Sequence, residues 1–364
     1  MNTYLSEDLI LQTLSEYFPE QHNSLLLGRG DDCSVLAIQN NLCISTDLFV
    51  EDVHFRTSYF NPQEIGHKAL AVNISDIAAM GARPVAFSLG LAIPPHIDIV
   101  WLKDFFSGMA KLANAYKIVL SGGDISRSEK IFISISIWGE TTKNRQLPQD
   151  YFLESSLNYH SPLSTKTLEQ EKDINYTNYL TRGGAMPGDM IFLIGEIGLA
   201  RVGLAKLEKY GREALKKWPN ACLAHLLPSP QVDAGLILAR SCLNARQAVL
   251  MDVSDGLARD LPRLLGIDKN NSLGAEINLT ESMLHEEVVK SAKLNNKSAI
   301  KEAWLGGEDY ALVGAITPKL MSILKAAIPS LYYIGSITNT GYIELNGKRS
   351  TNEERGFDHF QPST

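Results

Sequence analysis

The chain has 364 residues, of which 45% are hydrophobic and 21% charged, and these proportions exclude a disordered chain and allow two domains with separate cores. The net charge of −7 gives no indication of a nucleic-acid-binding surface. The start, MNTYLSEDLI, lacks a signal peptide's basic and apolar regions, and no run of about 18 apolar residues occurs, so we expect a cytoplasmic protein without membrane contact.

The first part of the chain alternates predicted helices and strands. Ser6 precedes an amphipathic run and predicts a helix N-cap, while Gly81 marks the end of a second helix. The segment IFISISIW alternates strictly, which predicts a strand with one buried face. The predicted helices are 6–18, 63–80 and 98–116, and the predicted strands are 34–38, 42–46, 85–93, 118–121 and 131–138.

A polar segment separates the two halves. Residues 147–180 are rich in Asn, Ser, Thr, Gln and Tyr and show no apolar periodicity. We expect an exposed insertion with a short helix near 164–172, dispensable rather than a catalytic lid. We therefore divide the chain into an N-terminal ATP- and metal-binding domain at 1–146, this insertion, and a C-terminal domain at 181–364.

The second half also mixes both element types. After the turn and strand of MPGDMIFLIG, the predicted helices are 199–209, 231–243, 256–266, 281–292 and 317–327, and the predicted strands are 248–252, 275–278, 310–315 and 332–336. Mixed helices and strands in both halves predict an α+β (mixed α/β) fold of two domains.

Carboxylates recur beside glycines or apolar runs, in GRGDD, STD, NISD, SGGD, MDVSDG and GGED. Such groups are costly to bury unpaired, and no matching cluster of Lys or Arg accompanies them. Hard divalent cations shared with nucleotide phosphates are the natural partners. Asp76, between Ile74 and Ile77, is the least compatible with a purely structural role. No GxxxxGK[ST] loop or protein-kinase motif is present.

Several of these motifs also fit a structural role when taken alone. GRGDD alone favours a solvated turn, SGGD also fits a common turn, and Ser254 or Asp255 also fits a helix N-cap. His54 is as readily a structural hydrogen-bonding residue as a substrate contact. Four cysteines without CxxC spacing predict free thiols, with a disulfide pair as the minor alternative: Cys33, Cys43, Cys222 and Cys242.

Taken in order, the motifs GDDC, STD, AVNISDIAAMGARP, GGD, GAMPGD, MDVSDGL, GGEDY and GFDHF resemble the thiamine-monophosphate kinase family of the aminoimidazole-ribonucleotide-synthetase superfamily. The resemblance runs from about Leu9 to Phe360 and omits 147–180. Two features depart from the family: the insertion is longer than usual, and PSPQVDAG has Gln231 where Arg is typical.

The resemblance implies ATP-dependent, in-line phosphorylation of thiamine monophosphate to thiamine diphosphate, assisted by several Mg²⁺ ions. It also implies a homodimer that pairs through the N-terminal sheet. An acceptor phosphate is already ionised at neutral pH, so no dedicated base is expected. The implied metal ligands are Asp31, Ser45, Thr46, Asp47, Asp76, Asp124, Asp252 and Asp255; the ATP contacts are Gly123, Asp124, Arg145 and Ser254; the substrate contacts are His54, Glu308 and Phe357.

Two other readings remain open. Within the superfamily, a selenophosphate synthetase or hydrogenase-maturation activity is the alternative; the former would favour a reactive Cys or selenocysteine, whereas Cys33 at a strand start reads as a core residue. Outside it, the alternative is a non-catalytic metal- or nucleotide-binding regulator.

Overall fold

Two large β-sheets organise the chain in a computed structural model that describes residues 6–19, 22–27, 29, 33–38, 40–141, 179–241, 248–266 and 272–350. Its strands are β1 (Leu25–Leu27), β2 (Val35–Leu36), β3 (Leu42–Val50), β4 (Arg83–Ile93), β5 (Val119–Arg127), β6 (Phe132–Glu140), β7 (Met190–Ile194), β8 (Val249–Val253), β9 (Gly274–Ile277), β10 (Ala311–Ile316), β11 (Leu331–Thr338), β12 (Ile343–Leu345) and β13 (Lys348–Arg349). Its α-helices are α1 (Glu7–Tyr17), α2 (Pro62–Ala79), α3 (Ile99–Ala115), α4 (Leu199–Tyr210), α5 (Pro219–Leu226), α6 (Val232–Ser241), α7 (Leu257–Leu265), α8 (Glu286–Leu294), α9 (Ala299–Leu305) and α10 (Pro318–Ala327).

The first sheet has the order β3-β6-β4-β5, with β5 parallel to β4 and the other pairs antiparallel. The alternation predicted at 131–138 is confirmed: Ile133, Ile135 and Ile137 are buried on the side that packs against α2. The opposite face is exposed, since Ile44 keeps 63% and Leu48 51% of their accessible surface.

Helix α2 is fixed at both ends by local sequence. The Glu64 carboxylate accepts the backbone N–H of Asn61 at 2.7 Å, which satisfies a group at the helix start. The helix ends before Gly81, whose φ of +62° suits glycine. The helix predicted over 63–80 is therefore confirmed.

Helix α2 lies between the two halves of the chain. A Cβ at Gly66 would lie 2.1 Å from the Phe105 carbonyl oxygen, so glycine permits the close crossing with α3. On its other side, a Cβ at Gly235 of α6 would lie 2.1 Å from the Ala78 oxygen. Helix α2 also contacts β8. These contacts set the position of Asp76, near the end of α2, against the second sheet.

The second sheet has the order β13-β12-β9-β11-β7-β10-β8, antiparallel except for β12 beside β9. Strand β10 is buried throughout, and its Leu312 pairs with Asp252 of β8. The predicted mixed α/β class is confirmed. Over the described residues, no helix is long and apolar enough to span a membrane.

Some sequence predictions need correction. The strand expected at 34–38 is only β2, paired with β1 outside the four-stranded sheet, and Cys33 beside it is exposed rather than a core residue. The helix expected at 281–292 is a 3-10 turn followed by α8, because the His285 side chain accepts the Glu287 N–H and starts a new helix. No counterpart was predicted for helices α5 and α9 or for strands β1, β12 and β13.

Other predictions lie partly or wholly outside the described residues. Of the insertion at 147–180, only 179 and 180 are described. Cys33, Cys43 and Cys222 are free thiols, as predicted, whereas Cys242 lies outside the described ranges.

Candidate active site

Three carboxylates from both halves of the chain form the centre of the candidate site. Asp47 lies on β3, Asp76 on α2 and Asp252 on β8. The Ser45 hydroxyl donates a hydrogen bond to Asp76, and the Ser75 hydroxyl donates one to Asp252 at 2.9 Å. The predicted metal ligands Ser45, Asp47, Asp76 and Asp252 are thus brought into one region.

Burial raises the pKa of all three carboxylates, and the charge of Asp76 raises that of the other two further. Burial raises the pKa of Asp47 to about 7, and the charge of Asp76 contributes. Burial and the charge of Asp76 likewise raise the pKa of Asp252 to about 8. The pKa of Asp76 is raised by burial and partly lowered by Ser45 and Arg182. Unpaired buried carboxylates of this kind gain most from a bound cation.

The oxygen donors of this cluster fit Mg²⁺ whose coordination is completed by a bound substrate. Among the described residues, no three Asp, Glu, His or Cys side chains converge closely enough to enclose an ion by themselves. Mg²⁺ usually keeps several waters and binds one or two carboxylates together with substrate phosphates. The oxygens of Asp47, Asp76 and Asp252 suit such a shared arrangement.

Thr46, Gly123 and Asp124 lie apart from these carboxylates. The Thr46 hydroxyl hydrogen-bonds Ser136 at 2.8 Å on the exposed sheet face. Asp124 lies on β5, the edge strand opposite β3, and its side chain is exposed. A Cβ at Gly123 would lie 1.9 Å from the carbonyl oxygen of Leu89, so strand packing by itself already requires glycine there.

The MDVSDG segment forms a tight turn after β8. The Asp260 carboxylate accepts the backbone N–H groups of Ser254 and Asp255 at 3.1 and 2.9 Å. Asp255 itself is paired with Arg263 at 2.7 Å and with Arg259 at 3.4 Å. These contacts make the turn rigid. Ser254 lies two residues after Asp252, and the two arginines hold Asp255.

The GGEDY loop packs directly on this turn. The Glu308 N–H donates to the Ser254 oxygen at 2.7 Å, and the Tyr310 N–H donates to the Val253 oxygen at 3.0 Å. Glu308 and Tyr310 both have positive φ angles, +63° and +50°, which are strained for residues other than glycine. Between them, Asp309 accepts the N–H groups of Gly198 and Ala200 at the start of α4.

Tyr310 of this loop lies near the carboxylates, and Glu308 contacts α2. Burial raises the pKa of Tyr310 well above its usual value, with the charges of Glu308, Asp47, Asp252 and Asp76 adding to the effect. The Glu308 carboxylate lies 3.3 Å from Lys68 Nζ and 3.0 Å from His225 Nδ1. The predicted substrate residue Glu308 is thus held by two buried partners.

His54 lies just beyond β3. Its Nδ1 accepts the Val50 N–H at 3.0 Å, and its ring stacks on Phe49 at a centroid distance of 5.8 Å. Both the structural interpretation and the substrate interpretation of His54 are compatible with this position.

Three predicted site residues, Asp31, Arg145 and Phe357, lie outside the described residues. Sequence reasoning missed Arg182, whose charge lowers the pKa of Asp76 and Asp252. The signal for it was an arginine immediately before GGAMPGD. Lys68 and His225 were also missed, because neither lies in a motif rich in carboxylates.

Known proteins resemble this chain over nearly its whole length. Residues 30–141 match the family described as AIR synthase related protein, N-terminal domain. The chain is 31% identical over 362 residues to the thiamine-monophosphate kinase of Buchnera aphidicola subsp. Schizaphis graminum, covering 96% of this chain and 98% of that protein. It is 32% identical over 361 residues to that of Escherichia coli K12, covering 95% and 97%.

Solved structures agree with these relatives. The thiamine-monophosphate kinase from Stenotrophomonas maltophilia K279a has a TM-score of 0.73 at 26% identity, covering 96% of this chain and 99% of that one. AaThiL complexed with AMPPCP and TMP has a TM-score of 0.69 at 26% identity, covering 97% and 95%. HypE in complex with ATP, at 17% identity and a TM-score of 0.66, shares the fold. The chain has the AIR-synthase-like fold and belongs to the thiamine-monophosphate kinase family.

Proposed function

We propose that this chain transfers the γ-phosphoryl group of ATP to the phosphate of thiamine monophosphate, giving thiamine diphosphate and ADP. The observation that carries this proposal is the convergence of Asp47, Asp76 and Asp252 in a member of this family. A relative of this chain, AaThiL, has been solved with AMPPCP and TMP, which supports the choice of both substrates.

Mg²⁺ ions are proposed to bind at Ser45, Asp47, Asp76 and Asp252, where they would neutralise the two phosphate anions that must approach each other. Asp31, Asp124 and Asp255 are proposed as further ligands. Thr46 is the least supported of the set, since its hydroxyl is bonded to Ser136 on the exposed sheet face.

The chain's own side chains supply positioning rather than a base. The acceptor phosphate has a second pKa near ~6 and is ionised at neutral pH, so a dedicated proton acceptor is not needed. The rigid turn at Ser254 and the loop residue Glu308 are proposed to orient ATP and thiamine monophosphate, with His54 and Phe357 as further acceptor contacts. Gly123 and Asp124 are proposed ATP contacts.

Arg182 is proposed to bind a phosphate group of ATP. Its guanidinium lies close enough to the cluster to lower the pKa of Asp76 and Asp252. A guanidinium can form paired hydrogen bonds with phosphate oxygens. Arg145, predicted from the resemblance, remains a second candidate for the same role.

A homodimer through the first sheet is proposed on two observations. The open face of the sheet exposes large apolar side chains, which keep the following fractions of their accessible surface: Leu42 41%, Ile44 63%, Leu48 51% and Phe132 37%. In addition, Asp47 on β3 and Asp124 on β5 lie on strands that are three strand spacings apart, about 14 Å, which separates the two residues within one chain. If Asp47 and Asp124 serve one site, Asp124 of a second copy would complete it.

The proposed reaction is tested by incubating the purified protein with ATP, Mg²⁺ and thiamine monophosphate and separating the products chromatographically. Thiamine diphosphate and ADP should form in equal amounts, and free thiamine should be a much poorer acceptor. ADP formation without thiamine diphosphate would contradict the proposal.

A further inference from the structure

A buried lysine on α2 is unexplained by the packing of the core. Lys68 has no accessible surface, although ammonium groups are rarely buried unless they are paired. Its Nζ lies 3.3 Å from Glu308 Oε1 and 3.3 Å from His225 Nδ1, and 5.5 Å from the centre of the Phe60 ring. The ammonium group is therefore directed at Glu308 of the GGEDY loop.

His225, on α5, completes this arrangement. It is 1% exposed, and its Nδ1 lies 3.0 Å from Glu308 Oε2, whereas the 3.3 Å contact of Lys68 is with Oε1. Its ring packs edge-on against Phe60 at 5.4 Å and near Tyr59 at 6.2 Å, which fixes its orientation. Both oxygens of Glu308 are thus held by side chains from two different helices.

The charges in this cluster balance. Burial opposes ionisation of Glu308, but the charge of Lys68 and the hydrogen bond from His225 outweigh it and hold the pKa of Glu308 below its usual range. Burial and the charge of Lys68 lower the pKa of His225, which favours its neutral ring. Burial lowers the pKa of Lys68, and the charge of Glu308 opposes that shift. A lysine and a glutamate in contact therefore offer a ligand little net charge.

The side chain of Glu308 nevertheless keeps 28% of its accessible surface, so part of it stays open to the site. A compensated carboxylate attracts a cation weakly, whereas its free lone pairs still accept hydrogen bonds from a correctly placed donor. Such a group distinguishes ligands by whether they present an N–H.

We propose that Lys68 and His225 are positioning residues for the acceptor: they hold Glu308 in one orientation in which it accepts a hydrogen bond from a neutral ring amino group, rather than pairing with a cationic ring. This inference rests on the proposed function, because thiamine monophosphate carries both an aminopyrimidine and a cationic thiazolium. Lys68 and Asp76 also lie eight residues apart on α2, about 12 Å along its axis. One helix therefore fixes the amino-group contact relative to the carboxylate cluster.

The test compares thiamine monophosphate with oxythiamine monophosphate, in which oxygen replaces the amino group. Wild type should prefer thiamine monophosphate at least tenfold in kcat/KM. Lys68→Met should raise the KM for thiamine monophosphate about tenfold, leave the KM for ATP within twofold, and largely abolish the preference. His225→Asn should change the same quantities in the same direction.

Two further variants separate positioning from folding. Lys206→Met removes another nearly buried lysine, which lies over Trp218 at 4.5 Å, and should leave both KM values and the preference unchanged. The double variant Lys68→Met/Glu308→Gln has no unpaired buried charge and should behave like Glu308→Gln alone. This second comparison holds even if Lys68→Met alone is poorly folded.

Three results would overturn the inference. The KM for thiamine monophosphate could be unchanged in Lys68→Met, or the KM for ATP could change equally. The increases in KM of the two single variants could also multiply in the double variant. If wild type itself makes no thiamine diphosphate, the proposed function fails instead. The two failures are therefore distinguishable.

Discussion

The buried carboxylate of Asp252 makes the stability of the metal-free protein depend on pH. Its pKa in the folded protein is raised to about 8 by burial and by Asp76, whereas an unfolded aspartate titrates near ~3.9. Between these two pH values the unfolded chain has lost a proton that the folded chain retains. Stability from this group is therefore lost as the pH rises through the window.

Asp252→Asn should remove this pH dependence. At pH 8 without metal, we expect the variant to be more stable than wild type by a few kcal/mol, whereas at pH 4 the two should be equally stable. Its turnover should fall at least a hundredfold, because an amide binds Mg²⁺ weakly. Thermal melts at both pH values, together with kinetics, check this.

Asp104→Asn on α3, outside the cluster, is the control, and its turnover should match that of wild type. A loss of stability in Asp252→Asn at pH 8, or turnover close to that of wild type, would contradict the role given to Asp252.

At the scale of elements, two adjacent glycines on β5 have opposite surroundings. A Cβ at Gly123 would meet the carbonyl oxygen of Leu89 at 1.9 Å, whereas a Cβ at Gly122 has nothing within 4 Å. Gly123→Ala should therefore displace β5 from β4 and destabilise the protein by about 2 kcal/mol or more. Gly122→Ala should change stability by about 0.5 kcal/mol or less.

Chemical denaturation midpoints of the two variants decide this. Equal denaturation midpoints would mean that the pairing of β4 with β5 leaves room for a side chain at position 123. Glycine would then be needed there only for the proposed contact with ATP.

Elements with strong local signals were predictable. The alternation of 131–138 identified β6 and its buried face, and the Gly81 stop identified the end of α2. Short elements such as α9 were not predicted, because seven residues carry too little periodicity. The prediction of one helix over 281–292 was wrong because the His285 side chain caps a new helix within that range. Periodicity does not reveal such a local contact.

The candidate site was predictable where carboxylates are incompatible with their apolar neighbours, as at Asp76 and Asp252. The roles of Lys68 and His225 were not predictable. The two residues are 157 positions apart in the sequence, and their contact depends on how α2 packs against the second half of the chain. The same limit applies to Asp124: its motif was identified, but its distance from Asp47 follows only from the strand order.

At the scale of the whole molecule, the strand order makes a prediction about subunits. Suppose that Asp47 of one copy and Asp124 of the other form one site. Asp47→Asn and Asp124→Asn would each be inactive alone. Mixed, refolded subunits would form heterodimers in which one of the two sites has both native residues. Half of the dimers are mixed, so about a quarter of wild-type activity should return.

Mixing Asp47→Asn with Asp76→Asn is the matched control. Asp47 and Asp76 belong to the same cluster of the same chain. Every site in a mixed dimer therefore lacks one of these two aspartates, and no activity should return. Failure of the Asp47→Asn and Asp124→Asn mixture to recover activity, with dimers confirmed by light scattering, would contradict a shared site.

In the proposed reaction, the γ-phosphoryl group of ATP passes directly to thiamine monophosphate at the carboxylate cluster. The most direct measurement is a single-turnover reaction with γ-labelled ATP, Mg²⁺ and thiamine monophosphate, in wild type and in Asp76→Asn. In wild type the label should appear in the terminal phosphate of thiamine diphosphate at the rate at which ATP disappears. In Asp76→Asn, still folded by its thermal melt, that rate should fall by several orders of magnitude. Label found only in inorganic phosphate, or near-normal transfer by Asp76→Asn, would contradict this proposal.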